Sequence, residues 1–145
     1  MSDDLQVRVR TDPRLLCSVR WLVRGYLQGF GYSPERTEEV VLAVDEACAN
    51  SIRHSYAGNH HALLVLSFRA LERWIEIELE DTGTPVAIEK TRAPKAEHIE
   101  RERLTPGGLG MYLIHRAFDE VLYDPGTERG NRVRLRLNRT QSTGT

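Results

Sequence analysis

Glu46 and Asn50 are the first residues of this sequence whose types and spacing could do chemistry. They lie four positions apart in a segment with helical periodicity, so their side chains share one face. An asparagine oxygen is a hard ligand suited to Mg²⁺, and a nearby carboxylate could orient or deprotonate a nucleophile. Both residue types are also common on a solvated helix face. Asp45 points roughly 100° away from Glu46 and is a poor substitute. Arg53 is either a phosphate contact or a surface charge.

Asp81 follows an alternating apolar segment and precedes Thr82 and Gly83. A carboxylate at the end of a strand could accept a hydrogen bond from an exocyclic amine such as that of adenine. Gly83 would let the backbone approach a flat ring without an intervening side chain. Asp-x-Gly is also typical of a simple turn, so this motif alone leaves both interpretations open.

A glycine-rich segment at residues 107–110 precedes an apolar run that predicts a helix. Free backbone N–H groups and the positive end of the helix dipole would form an anion site there. The segment is not a P-loop, which requires G-x-x-x-x-G-K followed by Ser or Thr. It is not a Rossmann loop either, because no parallel β-α-β unit precedes it. The alternative is a hinge before a helix. Together, the three motifs indicate a nucleotide pocket.

Hydrophobic periodicity predicts the elements that would position these motifs. Strands are predicted at about residues 5–10, 62–70, 73–80, 121–123 and 133–137, and helices from Pro13, over about 34–56 and over 109–118. Asp12 and Ser33 are predicted N-caps. This order predicts an α+β fold, a two-layer sandwich with a mixed, mainly antiparallel sheet and helices on one face. The connection at about 86–106 is long enough to be functional or disordered.

Composition places limits on the kind of protein. The 145 residues carry a net charge of −1, which fits one domain over 1–145 and argues against a dedicated nucleic-acid binder. The N-terminus has no secretory pattern, and no stretch approaches the roughly 20 apolar residues of a membrane span. We therefore expect a cytoplasmic protein with no membrane and no direct nucleic-acid partner. Cys17 and Cys48 are expected to be reduced and buried, and 139–145 to be a polar tail.

The three motifs resemble the N, G1 and G2 boxes of the GHKL ATPase and kinase superfamily, which includes gyrase, Hsp90 and the histidine kinases. The matching residues are Glu46 and Asn50, then Asp81 and Gly83, then Gly108 and Gly110. Within the superfamily, the short single-domain form and the segments DTGTP (81–85) and PGGLGMYLI (106–114) resemble the anti-sigma-factor serine kinases. The resemblance extends from about residue 14 to residue 137.

The resemblance implies a Bergerat fold with ATP and Mg²⁺ as cofactors. Asn50 would hold Mg²⁺, Glu46 would be the catalytic base and Asp81 would contact the adenine amine. The other implied nucleotide contacts are Arg53, Gly83, Pro85, Gly107, Gly108, Leu109, Gly110 and Met111, with Arg101 and Arg103 as γ-phosphate candidates in an ATP lid at about 84–110. Pro85 stands where many GHKL proteins have a second glycine. Many also have a late-strand threonine behind the adenine; Arg134 lies near that position, so no residue is assigned to it.

The resemblance also implies a function. The family phosphorylates a serine on a STAS-domain anti-anti-sigma protein and otherwise holds a sigma factor, often as a homodimer. We therefore expect an ATP-dependent protein-serine kinase with those partners. The alternatives are a nucleotide-dependent binding switch without catalysis, a detached histidine-kinase catalytic domain, and a structural protein with accidental motifs. A missing dimerisation helix pair with a phospho-acceptor histidine counts against the second alternative, and ATP binding would exclude the third.

Overall fold

The chain folds into two layers, a five-stranded sheet and a layer of helices. A computed structural model describes residues 2–84, 92, 108–127 and 130–139. Its strands and α-helices are, in chain order, β1 (Leu5–Arg10), α1 (Leu16–Gly29), α2 (Pro34–Asn50), β2 (Leu63–Ala70), β3 (Trp74–Asp81), α3 (Gly108–Ala117), β4 (Glu120–Thr127) and β5 (Gly130–Asn138). The sheet order is β1-β2-β3-β5-β4, and every described pairing is antiparallel. The predicted α+β fold is confirmed, but the predicted mixed sheet has no parallel pair among the described strands.

Alternation along the strands separates the two faces of the sheet. The inner face is apolar and buried, with Leu64, Leu66, Phe68, Ile75, Ile77, Leu79, Val133, Leu135 and Leu137. Val23 and Leu27 of α1 and Val40 and Val44 of α2 are also fully buried in the same core. The outer face is charged: Arg136 of β5, for example, donates to Glu76 of β3 at 2.9 Å. The core therefore fixes α2 and β3, which carry the first two motifs.

The predicted N-caps form as the sequence indicates. Asp12 accepts a hydrogen bond from the backbone N–H of Arg14 at 3.0 Å, and Ser33 accepts from that of Arg36 at 3.1 Å. After Asp12 the chain makes a short 3₁₀ turn, Pro13–Leu15, before α1 begins. The second predicted helix is α-helical only to Asn50 and continues as a π-helix over Ser51–Ser55. That wider turn was not predicted.

One cysteine prediction is wrong. Cys48 is buried in the core, and burial raises the pKa of its thiol to about 12. Cys17 is exposed, because it falls one position after Leu16 and outside the α1 stripe that packs on the sheet. Within the described part of the chain, no helix is long and apolar enough to cross a membrane. Pro85, Arg101, Arg103 and Gly107 lie outside the described residues, as do most of the long connection and the tail.

Candidate functional site

The three motifs meet where the end of α2, the end of β3 and the start of α3 come together. The first contact joins α2 to α3: a Cβ added to Gly110 would lie 2.6 Å from Oε2 of Glu46. The second lies one turn further on, where Asn50 Nδ2 donates to the sulfur of Met111 at 3.7 Å. The glycine-rich motif therefore packs directly on the face that carries Glu46 and Asn50, as the predicted pocket requires.

Asp81 is the most heavily contacted acid of the site. Its side chain is buried, and Ser51 Oγ donates to Oδ2 at 2.5 Å. Asn131 Nδ2 and the backbone N–H of Gly83 both donate to Oδ1, each at 3.0 Å. Because all of these contacts are donors, the carboxylate serves as an acceptor and is held in one orientation. A further partner of its remaining lone pairs would also be a donor, such as an exocyclic amine.

The π-helix supplies two serines to this cluster. Ser51 bonds Asp81 directly, while Ser55 Oγ accepts from Asn131 Nδ2 at 3.0 Å. The carbonyl of Ser55 accepts the backbone N–H of Thr84 at 2.7 Å. A π-turn is wider than an α-turn, so residues four positions apart no longer lie directly above one another. Such turns are frequent at functional sites. Here the turn ties the end of α2 to the loop that follows β3.

Two glycines permit this close packing. A Cβ on Gly83 would lie 2.2 Å from the carbonyl oxygen of Ser55, and one on Gly130 would lie 2.2 Å from that of Asp81. Gly130 also has a φ of +103°, which disfavours other residues. The contact with Ser55 is therefore enough to require glycine at position 83. Its support of an adenine ring stays a prediction.

The Asn50 amide is held on both sides. Arg53 Nη2 donates to Asn50 Oδ1 at 2.5 Å, opposite the contact from Nδ2 to Met111. The hydroxyl of Tyr123 donates to the same sulfur at 3.8 Å. Asp45 instead pairs with Arg20 at 2.7 Å, so it is engaged away from the site, as helical geometry predicted.

Tyr123 and Asn131 are site residues that the sequence analysis missed. Burial, with a smaller contribution from the negative charge of Asp81, raises the pKa of Tyr123 to about 12. Asn131 pairs with Asp81 in the β3–β5 register, whereas Arg134 pairs with Glu78 on the outer face. The late-strand position near Asp81 therefore belongs to Asn131 and not to Arg134. An antiparallel alignment of β5 with β3 places Asn131 opposite Asp81, and this alignment is the sequence signal that could have identified Asn131.

The donor set fits Mg²⁺ with a nucleotide better than a metal held by the protein alone. Within the described ranges, no group of three or more His, Cys, Asp or Glu residues could hold a metal. Asn50 offers one hard oxygen, with Glu46 one turn away. Mg²⁺ commonly takes one or two protein oxygens together with phosphate oxygens and water, which this arrangement would allow. Leu109 is exposed, and its assigned nucleotide contact stays a prediction.

Comparison with known proteins identifies the class. Residues 9–137 match the family described as the histidine kinase-like ATPase domain, so the chain belongs to that family. The resemblance carried by the three motifs is confirmed.

Individual relatives give a more specific comparison than the family as a whole. The chain is 30% identical over 124 residues to the serine-protein kinase RsbW of Bacillus licheniformis, covering 83% of this chain and 77% of that protein. Two crystal structures share the fold. The SiaB–SiaC complex from Pseudomonas aeruginosa matches with a TM-score of 0.67 and 15% identity, over 93% of this chain and 89% of that chain. The RsbU and RsbW domains of Rv1364c from Mycobacterium tuberculosis match with a TM-score of 0.63 and 17% identity, over 97% of this chain but only 34% of that longer chain.

Proposed function

We propose that this protein is an ATP-dependent protein-serine kinase and anti-sigma factor. It transfers the γ-phosphate of ATP to a serine of a STAS-domain antagonist and holds a sigma factor when that antagonist is not engaged; the active unit is a homodimer in the cytoplasm. The observation that carries this proposal is the packing of Glu46 and Asn50 against α3, in an ATPase-family chain that is 30% identical to a serine-protein kinase.

The base end of the nucleotide is read by Asp81. Its carboxylate is fixed by Ser51, Asn131 and the backbone of Gly83, so its free acceptor positions are set before a ligand arrives. An exocyclic amine satisfies an acceptor, whereas a carbonyl at the same place would face a carboxylate. The site therefore favours adenine over a base that presents an oxygen there.

The phosphate end lies between α2 and α3. Asn50 would hold Mg²⁺, and bound Mg²⁺ supplies neutralisation of the phosphate charge. The first turn of α3 contains Gly108, Leu109 and Gly110, and the first backbone N–H groups of a helix have no partner within it, which would suit an anion here. Glu46 lies against Gly110 and would accept the proton of the attacking serine hydroxyl. Phosphoryl transfer depends mostly on such positioning and electrostatics.

Calorimetry tests nucleotide binding. We expect Mg²⁺-dependent ATP binding by the wild type, and its loss or sharp weakening in Asn50→Ala and Asp81→Asn. Asp45→Asn is the matched control, because Asp45 lies on α2 beside Glu46 but pairs with Arg20. Wild-type protein that binds no ATP would contradict the proposal, as would equal binding by all variants.

A transfer assay tests catalysis. With radiolabelled ATP and a STAS-domain protein that binds this chain, Glu46→Gln should retain ATP binding and lose transfer by about 100-fold or more, while Asp45→Asn transfers normally. Full transfer by Glu46→Gln would show that another group is the base. Binding of ATP and partner without any transfer by the wild type would establish the non-catalytic switch instead.

A further inference from the structure

We propose that Arg53 and Mg²⁺ exchange at one oxygen: loading of metal–nucleotide displaces the Arg53 guanidinium from Asn50 Oδ1 and transfers it to the nucleotide phosphates. This inference rests on the proposed function and adds an order of events to it. Arg53 becomes a phosphate-binding residue whose placement depends on the metal.

The starting point is the Arg53–Asn50 hydrogen bond. Nη2 of Arg53 lies 2.5 Å from Oδ1 of Asn50, and that oxygen is the atom proposed to ligate Mg²⁺. Asn50 is only 9% exposed. Its nitrogen already donates to the Met111 sulfur, so the amide cannot present its oxygen elsewhere without breaking a second contact.

Mg²⁺ and the Arg53 guanidinium do not bind Asn50 Oδ1 at the same time. Mg²⁺ requires near-ideal octahedral geometry at short distance, and the guanidinium carries a permanent positive charge. Two cations on one carbonyl oxygen repel each other, the more strongly where the oxygen is shielded from water. Metal binding at Asn50 therefore removes Arg53 from it.

The displaced guanidinium is free to reach a phosphate. Arg53 is exposed, and no described carboxylate forms an ion pair with it. By contrast, Arg20 of α1 is held by Asp45 of α2 at 2.7 Å. Once Arg53 leaves Asn50, the metal-bound nucleotide is the anion beside it, and guanidinium binds phosphate in bidentate geometry. Arg53 starts one turn from the metal ligand, so a side-chain rotation suffices.

NMR of the isotope-labelled chain observes the exchange directly. The probes are the side-chain NH₂ of Asn50 and the Nε–H of Arg53, assigned by their disappearance in Asn50→Ala and Arg53→Met. Without ligands, Arg53→Met should shift the Asn50 signals, and the control Arg20→Met should not. Adding Mg²⁺ with ATP should move both probes, whereas ATP with EDTA should leave the Asn50 signals in place.

Nucleotide affinity gives a second readout. In Arg53→Met, ATP affinity in EDTA should match the wild type, because Arg53 stays on Asn50 without metal. Affinity for Mg²⁺–ATP should fall by about tenfold, because the lost guanidinium–phosphate contact is stronger than the hydrogen bond to the amide that it replaces, and Arg20→Met should match the wild type in both conditions. If Arg53 bound phosphate without competing for Asn50, its loss would weaken ATP binding equally with and without Mg²⁺, and the exchange would be refuted. It is also refuted if Mg²⁺–ATP moves the Asn50 signals and leaves Arg53 unmoved. Failure of the proposed function is distinct: without nucleotide binding no signal in the chain responds to Mg²⁺–ATP, and binding without catalysis is detected by the transfer assay alone.

Discussion

Substitution of Gly83 by alanine tests the packing of the site most directly. The new Cβ would lie 2.2 Å from the carbonyl oxygen of Ser55, 2.6 Å from its carbonyl carbon and 2.7 Å from its Cβ. These atoms belong mainly to the backbone of the π-helix and cannot rotate away. The loop after β3 and the π-helix must therefore separate by about 1 Å to reach ordinary contact distance.

That separation has a calculable cost. It strains or breaks the bond from the Thr84 N–H to the Ser55 carbonyl, now 2.7 Å long, and the bond from the Gly83 N–H to Asp81, now 3.0 Å. Forced overpacking costs about 1–3 kcal/mol, and a lost backbone hydrogen bond about 1 kcal/mol more. We expect Gly83→Ala to lower the free energy of unfolding by about 3 kcal/mol, which is a fall in Tm of about 10 °C for a chain of this length.

Thermal unfolding followed by circular dichroism measures the shift, and calorimetry with Mg²⁺–ATP measures its effect on binding, which should weaken by more than about tenfold because Asp81 moves. Gly25→Ala is the matched control: Gly25 lies inside α1 with nothing within 4 Å of an added Cβ. That change should raise stability by about 0.5–1 kcal/mol. A Tm for Gly83→Ala equal to that of wild type would refute the reasoning.

The remaining predictions concern the other contacts of the fold. Gly110→Ala should leave Tm nearly unchanged, because the one atom closer than ordinary contact to its Cβ is the movable Oε2 of Glu46 at 2.6 Å. The substitution should still slow phosphate transfer by displacing that carboxylate; thermal melts and transfer assays compare the two effects. Asn131→Ala removes a buried donor that serves several acceptors, so the free energy of unfolding should fall by about 2 kcal/mol and ATP should bind more weakly. Asn131→Asp should be no more stable than Asn131→Ala, because it places a second carboxylate beside that of Asp81. A thiol reagent should modify Cys17 in the folded protein and Cys48 only after unfolding. Because burial raises the pKa of Cys48 from 9.0 to about 12, the folded chain keeps a proton that the unfolded thiol releases, and stability should decline as pH rises above 9.

Much of this fold could be predicted because its signals are local. The caps at Asp12 and Ser33 depend on residues within three positions, and both form. The strands follow from alternation, with the β2–β3 pair found within about one residue of its predicted ends. The pairing of Glu46 with Asn50 on one helix face required only helical spacing.

The missed residues depend on contacts between distant segments. Ser51 and Asn131 reach Asp81, and Ser55 reaches Asn131, only through the π-turn and the β3–β5 register. Neither leaves a local signature, because helical periodicity does not reveal one widened turn and a strand alone does not state its register. Tyr123 lies in a predicted strand, but its proximity to Met111 follows only from how α3 packs on the sheet.

The π-helix also limits how the chain can vary in length. A π-turn holds more residues than an α-turn, so deleting one residue from Ser51–Ser55 would allow the segment to rewind as an α-helix. Because a π-turn takes up one residue more than an α-turn, this single deletion would leave Glu46 and Asn50 facing the pocket, whereas the loss of a second residue would rotate them by about 100° relative to Asp81. Relatives that retain nucleotide binding should therefore tolerate a gap of one residue between Asn50 and Tyr56, although the Ser51 and Ser55 contacts would change. A gap of two residues there, even beside intact motifs, would mark a chain that has lost the ligand.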